Sequence, residues 1–232
     1  MIDTGSYNKK NILYKKLMED LYAKYSEEIK LSPEYAYFVK ENMLNFFFRL
    51  ARYKFVARLL KKTDCVLDVG CGSGLGSIFI SQHCRHVTGL DVKLTEIEEA
   101  RLINKRDNVE FVVKDFFKMK VLKKHDVIVA LDVIEHMTVK SGQGLIRTMA
   151  NHLTPAGMII IGTPSLYSYK YQGKLSKASH VKCYEQQELL FLIDKNFGRT
   201  VAFSMNDELV HTGFSKLAWY YFVLGFMPKG NR

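Results

Sequence analysis

Val66-Leu67-Asp68-Val69-Gly70-Cys71-Gly72-Ser73-Gly74-Leu75-Gly76-Ser77 is the stretch whose reading decides the fold. It joins a short apolar strand and an acid to glycines at 70, 72, 74 and 76. Glycine accepts positive φ and has no Cβ, so a ligand can lie directly against the main chain. Residues 75–80 read as the start of a helix, whose first amides point at that ligand. Strand, glycine turn and helix in this order make a nucleotide-binding crevice at the carboxyl end of a parallel sheet. The dinucleotide fingerprint G-x-G-x-x-G fails from Gly70, whose sixth position is Leu75. From Gly72 the sixth position is Ser77, a weak match.

Further strands follow at regular intervals. Residues 85–90 form a second strand ending in Asp91, where a carboxylate can accept both ribose hydroxyls. Residues 109–113 form a third, ending in Lys114-Asp115-Phe116. Residues 126–130 form a fourth, followed by Leu131-Asp132-Val133-Ile134-Glu135-His136, and residues 157–161 a fifth. Each acid alone reads as a helix cap or turn residue. Four strand ends in order read as one crevice. Alternating strands and helices from 63 to 197 predict an α/β fold with a parallel sheet.

The pattern acid-x-G-x-G-x-G, filled by Asp68, Gly70, Gly72 and Gly74, resembles the first motif of class I S-adenosylmethionine (SAM)-dependent methyltransferases. The resemblance implies a Rossmann-like, doubly wound, seven-stranded and mostly parallel sheet under an N-terminal helical cap. It implies SAM as cofactor, held by Asp68, the three glycines, Asp91 and Val92, Asp115 at the adenine amino group, Phe116 on the adenine ring, and Leu131. Arg52-Tyr53-Lys54-Phe55 resembles a segment that places an Arg-Tyr pair near the SAM carboxylate. Arginine suits a bidentate hold on such a group. The family's last strand pair falls near 199–205 and 214–227.

If a helical turn follows the fourth strand, Asp132, Glu135 and His136 share one face. His180, in Ser179-His180-Val181-Lys182-Cys183-Tyr184, returns to the same end of the sheet. This set is similar to two families, the ubiquinone-biosynthesis O-methyltransferases and the small-RNA 3′-terminal 2′-O-methyltransferases. The second implies Asp132, Glu135, His136 and His180 as ligands of a divalent metal. Such a donor set suits Mg²⁺, Mn²⁺, Fe²⁺, Co²⁺ or Zn²⁺. Asp132 departs from the usual Glu there by one methylene. Without a metal, His136 or His180 serves as general base, with Glu135 beside them. The bland alternative is that Glu135 and His136 cap a helix and His180 bonds its loop.

Composition bounds the rest. The chain has 232 residues, 47% of them hydrophobic, enough for one sizeable core. The expected division is a helical extension at 1–62 and the SAM-binding domain at 63–232. Helices are expected over 8–30 and from Ser32-Pro33-Glu34, a capped start, along the apolar stripe Phe38, Leu44, Phe47, Phe48, Ala51, Phe55 and Leu59. Residues 1–4 show no secretory signal, and the apolar run at 217–227 is too short to span a bilayer. It reads as a buried last strand. Cys65, Cys71, Cys84 and Cys183 form no C-x-x-C pair, which argues for reduced thiols in a cytoplasmic protein. The net charge of +10 favours an anionic partner or merely a solvated basic surface. Residues 165–184, rich in Tyr and Lys, are expected as a long loop or lid.

These readings favour O-methylation of a small-molecule hydroxyl, the acceptor being a sugar, a nucleotide-linked sugar or a phenol, anionic or phosphorylated. RNA 2′-O-methylation is the second reading, with nucleic acid the less favoured partner. A SAM-fold protein that binds without turnover is the third. The oligomeric state is not legible.

Overall fold

A computed structural model describes residues 4–24, 26, 31–121 and 123–229. Its contacts divide the chain into two compact units, 1–31 and 32–232. The first holds helix α1 (Thr4–Lys24). Residues 25 and 27–30, expected within that helix, lie outside the described residues.

The second unit begins with α2 (Pro33–Glu41) and α3 (Met43–Leu59). Residues 32–62, assigned to the N-terminal extension by sequence, therefore pack with the sheet. The expected single helix from Pro33 is broken at Asn42. There φ is −152° and ψ 60°, and the Asn42 side chain accepts from Asn45 N while its own N–H bonds Phe38 O. One short polar residue thus ends one helix and caps the next. The apolar stripe is correspondingly split. Phe38 and Ala51 are buried and Phe55 packs into the core, whereas Leu44 and Phe47 are exposed.

Then come β1 (Cys65–Val69), α4 (Leu75–Ile80), β2 (His86–Asp91), α5 (Leu94–Ile103), β3 (Val109–Val113), β4 (His125–Leu131), α6 (Val139–His152) and β5 (Leu153–Pro164). They are followed by α7 (Lys174–Ser179), α8 (Gln186–Asp194), β6 (Phe197–Asn206), β7 (Leu209–His211) and β8 (Tyr220–Pro228). The sheet has eight strands in the order β3-β2-β1-β4-β5-β8-β6-β7. The expected count was seven. The eighth is β7, a three-residue strand paired antiparallel with β6 at the sheet edge. Strands β1 to β5 are parallel, and β8 runs antiparallel between β5 and β6. The last strand starts at Tyr220 rather than 214, because Ser215–Leu217 forms a 3₁₀ turn.

Period-two alternation distributes the core over both faces. Along β4, Val127, Val129 and Leu131 join the cluster under α3, α4 and α5, while Ile128 and Ala130 join the cluster under α6 and α8. The chain leaves β1 toward β2 and β3, then returns to β4 on the other side of β1. This reversal opens a crevice above the carboxyl ends of β1 and β4.

Candidate active site

The crevice is a cavity of about 580 Å³. Its floor is the glycine turn. Gly70, Gly72 and Gly74 have φ of 75°, 53° and 81°, a conformation other residues rarely adopt. A Cβ on Gly70 would lie 2.5 Å from Val133 Cγ2, so the turn after β1 presses against the loop after β4. The amides of Gly70 and Cys71 both donate to Leu90 O, at 2.8 and 2.9 Å. Asp91 ties the turn further. Its Oδ2 accepts from Gly72 N at 3.1 Å and its Oδ1 from Lys93 N at 2.9 Å.

At the other end of the crevice, Ile134–His136 forms a 3₁₀ turn directly after β4. The Glu135 carbonyl accepts from Val181 N (2.8 Å) and Lys182 N (3.0 Å), and His136 Nδ1 lies 2.9 Å from Ser179 O. These contacts draw the loop after α7 onto the turn and bring the rings of His136 and His180 to 5.1 Å. A carbonyl only accepts, so Nδ1 of His136 carries the proton and the neutral ring keeps its lone pair on Nε2. Glu135 is fully buried, with Oε2 accepting from Thr163 Oγ1 at 3.0 Å. Burial first, and Asp132 second, raise its pKa to about 8. Burial, with the neighbouring His136, lowers that of His180. Ligand atoms of Glu135, His136 and His180 all lie within 4.8 Å of one another.

Residues 66–157 match the family model described as a methyltransferase domain. A ubiquinone biosynthesis O-methyltransferase from Rickettsia akari is 34% identical over 108 residues, covering 46% of this chain and 42% of that protein. The chain so spans about two fifths of that relative. Over that stretch the chain matches a methyltransferase domain, and such relatives support the class I SAM-dependent kind. Solved structures agree in fold. A protein of Pyrococcus horikoshii OT3 superposes with a TM-score of 0.64 at 20% identity, covering 82% of this chain and 92% of that one. The N-methyltransferase NodS from Bradyrhizobium japonicum, in complex with S-adenosyl-l-homocysteine (SAH), gives 0.57 at 14% identity, covering 83% and 91%.

Within the methyltransferase domain, Gly70, Gly72, Asp91, Val92, Asp115, Phe116, Leu131, Asp132 and His136 line the crevice. Five residues stand differently from expectation. Asp68 is absent from the crevice wall and wholly buried beneath it. On β1 it shares a face with Val66, and that face meets α3 and α4, where Ser77 Oγ donates to Asp68 Oδ2 at 2.6 Å and Tyr53 OH at 3.4 Å. Gly74 caps α4 and packs on Phe111, which a Cβ would meet at 2.5 Å. The Phe116 ring turns inward onto His152, at 5.1 Å, and the more exposed Phe117 stands beside it on the crevice wall. Arg52 binds Asp132 as an ion pair, its guanidinium 4.1 Å above the Tyr220 ring. Asp132, in the left-handed region at φ 56°, is engaged by Arg52 and lies outside the trio whose ligand atoms come within 4.8 Å of one another, though its charge still acts on Glu135.

Phe117, Thr163 and Tyr220 escaped the sequence reading. No motif marks them. Phe117 follows a residue the motif did mark, and Thr163 and Tyr220 reach the site only through strand pairing. The segment 165–184 is ordered as a 3₁₀ helix, Leu166–Tyr171, and α7, not as one long loop.

Proposed function

We propose that this chain methylates a hydroxyl group of a small molecule, taking the methyl from SAM. The observation that carries the reading is the position of His136. It belongs both to the crevice wall and to the Glu135–His180 cluster, so one residue joins the donor cleft to a basic, ligand-bearing patch. SAM, when bound, supplies an electrophilic methyl on a sulfonium. The glycine turn lets its amino-acid portion approach the main chain, and Asp91, fixed at both oxygens, is placed to accept from ribose hydroxyls. Where no ion is bound, the lone pair on His136 Nε2 is free to take the acceptor's proton.

The cluster also fits a divalent ion. Glu135 Oε1 and His180 Nδ1 are buried with no hydrogen-bond partner among the described residues, as befits atoms that serve as ligands. Glu135, His136 and His180 would hold it, while Asp132 pairs with Arg52. One carboxylate and two imidazoles suit Mn²⁺, Fe²⁺, Co²⁺ or Zn²⁺. When bound, such an ion would lower the pKa of a hydroxyl next to it.

The test is transfer of a tritiated methyl from SAM to a panel of sugars, nucleotide sugars and phenols, before and after EDTA treatment. Hydroxyl methylation that drops at least about tenfold with EDTA and returns with Mn²⁺ is expected. Activity indifferent to chelation removes the ion and leaves His136 as sole base. Methylation confined to amines or carbon overturns the hydroxyl reading.

A further inference from the structure

A second cavity, of about 530 Å³, lies past the end of β5, between the turn Leu166–Tyr171 and residues 216–219. Four aromatic residues, Tyr167, Tyr169, Tyr171 and Trp219, line it together with Lys170 and Lys216, and no acidic side chain is among its lining residues. The walls are held by the backbone. Ser165, fully buried, donates its N–H to Trp219 O at 2.9 Å and its hydroxyl to Ala218 O, while its Oγ accepts from Ser168 N at 3.0 Å. Trp219 N in turn donates to Met205 O at 3.1 Å, and the edge-on ring of Phe48 sits 6.0 Å from the indole. About half of Trp219 stays exposed, 49%. The backbone that carries these rings and charges is therefore anchored before any ligand arrives, which lowers the entropic cost of ordering the walls.

The cavity is also next to the chemistry. Thr163, which donates to Glu135, lies on β5 two residues before Ser165, which follows directly on the strand's end in extended backbone. Leu131, on the wall of the donor crevice, pairs with Gly162. Three residues of strand rise and one strand spacing put Ser165 ~11 Å from Leu131. That separation is within reach of one elongated small molecule.

Resting on the hydroxyl-methylation reading above, we infer that this cavity holds the far half of the acceptor, and that this half is a nucleoside diphosphate. Planar bases stack on aromatic faces with little regard to sequence or substituent. Lysine ammonium groups neutralise phosphate oxygens through charge-assisted hydrogen bonds. A neutral sugar or a phenol would use neither lysine, and a bare polyanion would use none of the four rings. A nucleotide-linked sugar uses both, with its sugar hydroxyl reaching toward His136.

Trp219 is the chain's single tryptophan, so its emission reports on this cavity directly. The experiment titrates uridine diphosphate (UDP), uridine and inorganic pyrophosphate into protein whose donor cleft is filled with SAH, with SAH binding measured separately by calorimetry. Expected is a saturable change with UDP, and binding at least about tenfold weaker for uridine and for pyrophosphate. Lys170→Gln and Lys216→Gln are each expected to weaken UDP about tenfold and to leave SAH binding and the melting temperature unchanged. No response to UDP while SAH binds overturns the second site and leaves the donor site standing. Pyrophosphate binding as tightly as UDP, or lysine variants that bind like the parent, also overturns it. UDP binding without SAH binding removes the methyl-transfer reading and with it the assignment to an acceptor.

Discussion

His136→Ala is expected to lower kcat by about 10²–10⁴-fold, the usual worth of a positioned acid–base group, while the affinity for SAH stays nearly intact. The expectation follows from the two nitrogens of the ring. Nδ1 is committed to Ser179 O, which fixes the tautomer and leaves Nε2 as the acceptor. The ring is exposed on the crevice wall, so its removal deprives the reaction of a base, or the ion of a ligand, without emptying the core. Calorimetry with SAH and steady-state kinetics on the same preparation check it. The decisive feature is the split between turnover and binding. Equal losses of both would mean that His136 holds the 179–182 loop in place and has no part in proton transfer. His136→Gln, whose amide can still donate to Ser179 O, separates the cases further. It restores the loop contact but not the base, so its turnover is expected to stay low.

The second large effect concerns Asp68. Burial pushes its carboxyl up from 3.8 to about 6, against the opposing hydrogen bonds from Ser77 and Tyr53 and with a smaller push from Asp91. One carboxylate oxygen has no partner among the described residues. The sign follows from linkage. The unfolded chain releases this proton near 3.8, while the folded chain holds it to about 6. The group's favourable contribution is therefore fully present below the unfolded value, falls away as pH rises through the folded one, and is level above that. The separation corresponds to about 3 kcal/mol. Asp68→Asn keeps the shape and removes the titration. Urea unfolding of the ligand-free protein is expected to show the variant gaining on the parent by about 3 kcal/mol between pH 3.5 and 7. Groups common to both proteins cancel in the difference. A difference that stays flat across that range would mean that Asp68 is ionised in the folded state, and that burial is offset by donors other than Ser77 and Tyr53.

Asp68 also shows where sequence reading succeeds and where it stops. The motif located the turn, because glycine most readily satisfies the positive φ at alternate positions 70, 72 and 74 and the residue spacing announces it. The motif could not say that Asp68 faces α4. Strand parity could have, since Val66 and Asp68 share a face and Val66 is core. The strand ends before Asp91, Asp115 and Asp132 were legible for another reason, as apolar runs that stop close to an acid. The Arg52–Asp132 pair was not legible. Eighty positions separate its partners, and only the close approach of α3 to the loop after β4 brings them together. That pairing engages Asp132 with Arg52, whereas local helical spacing had grouped it with Glu135 and His136. The Asn42 break was visible as a good capping residue but was outweighed by the apolar periodicity on both sides. Tyr220 and Thr163 enter the site through the β5–β8 register, a long-range pairing that no local pattern encodes.

The central claim is that the bend at Gly70–Gly74 receives the donor of a methyl group. Calorimetric titration with SAH tests it most directly. One saturable site is expected, weakened about tenfold by Asp91→Ala, because the carboxylate both orders the Gly72 amide and meets the ribose. Absence of heat up to millimolar SAH, in protein that unfolds cooperatively, would contradict it.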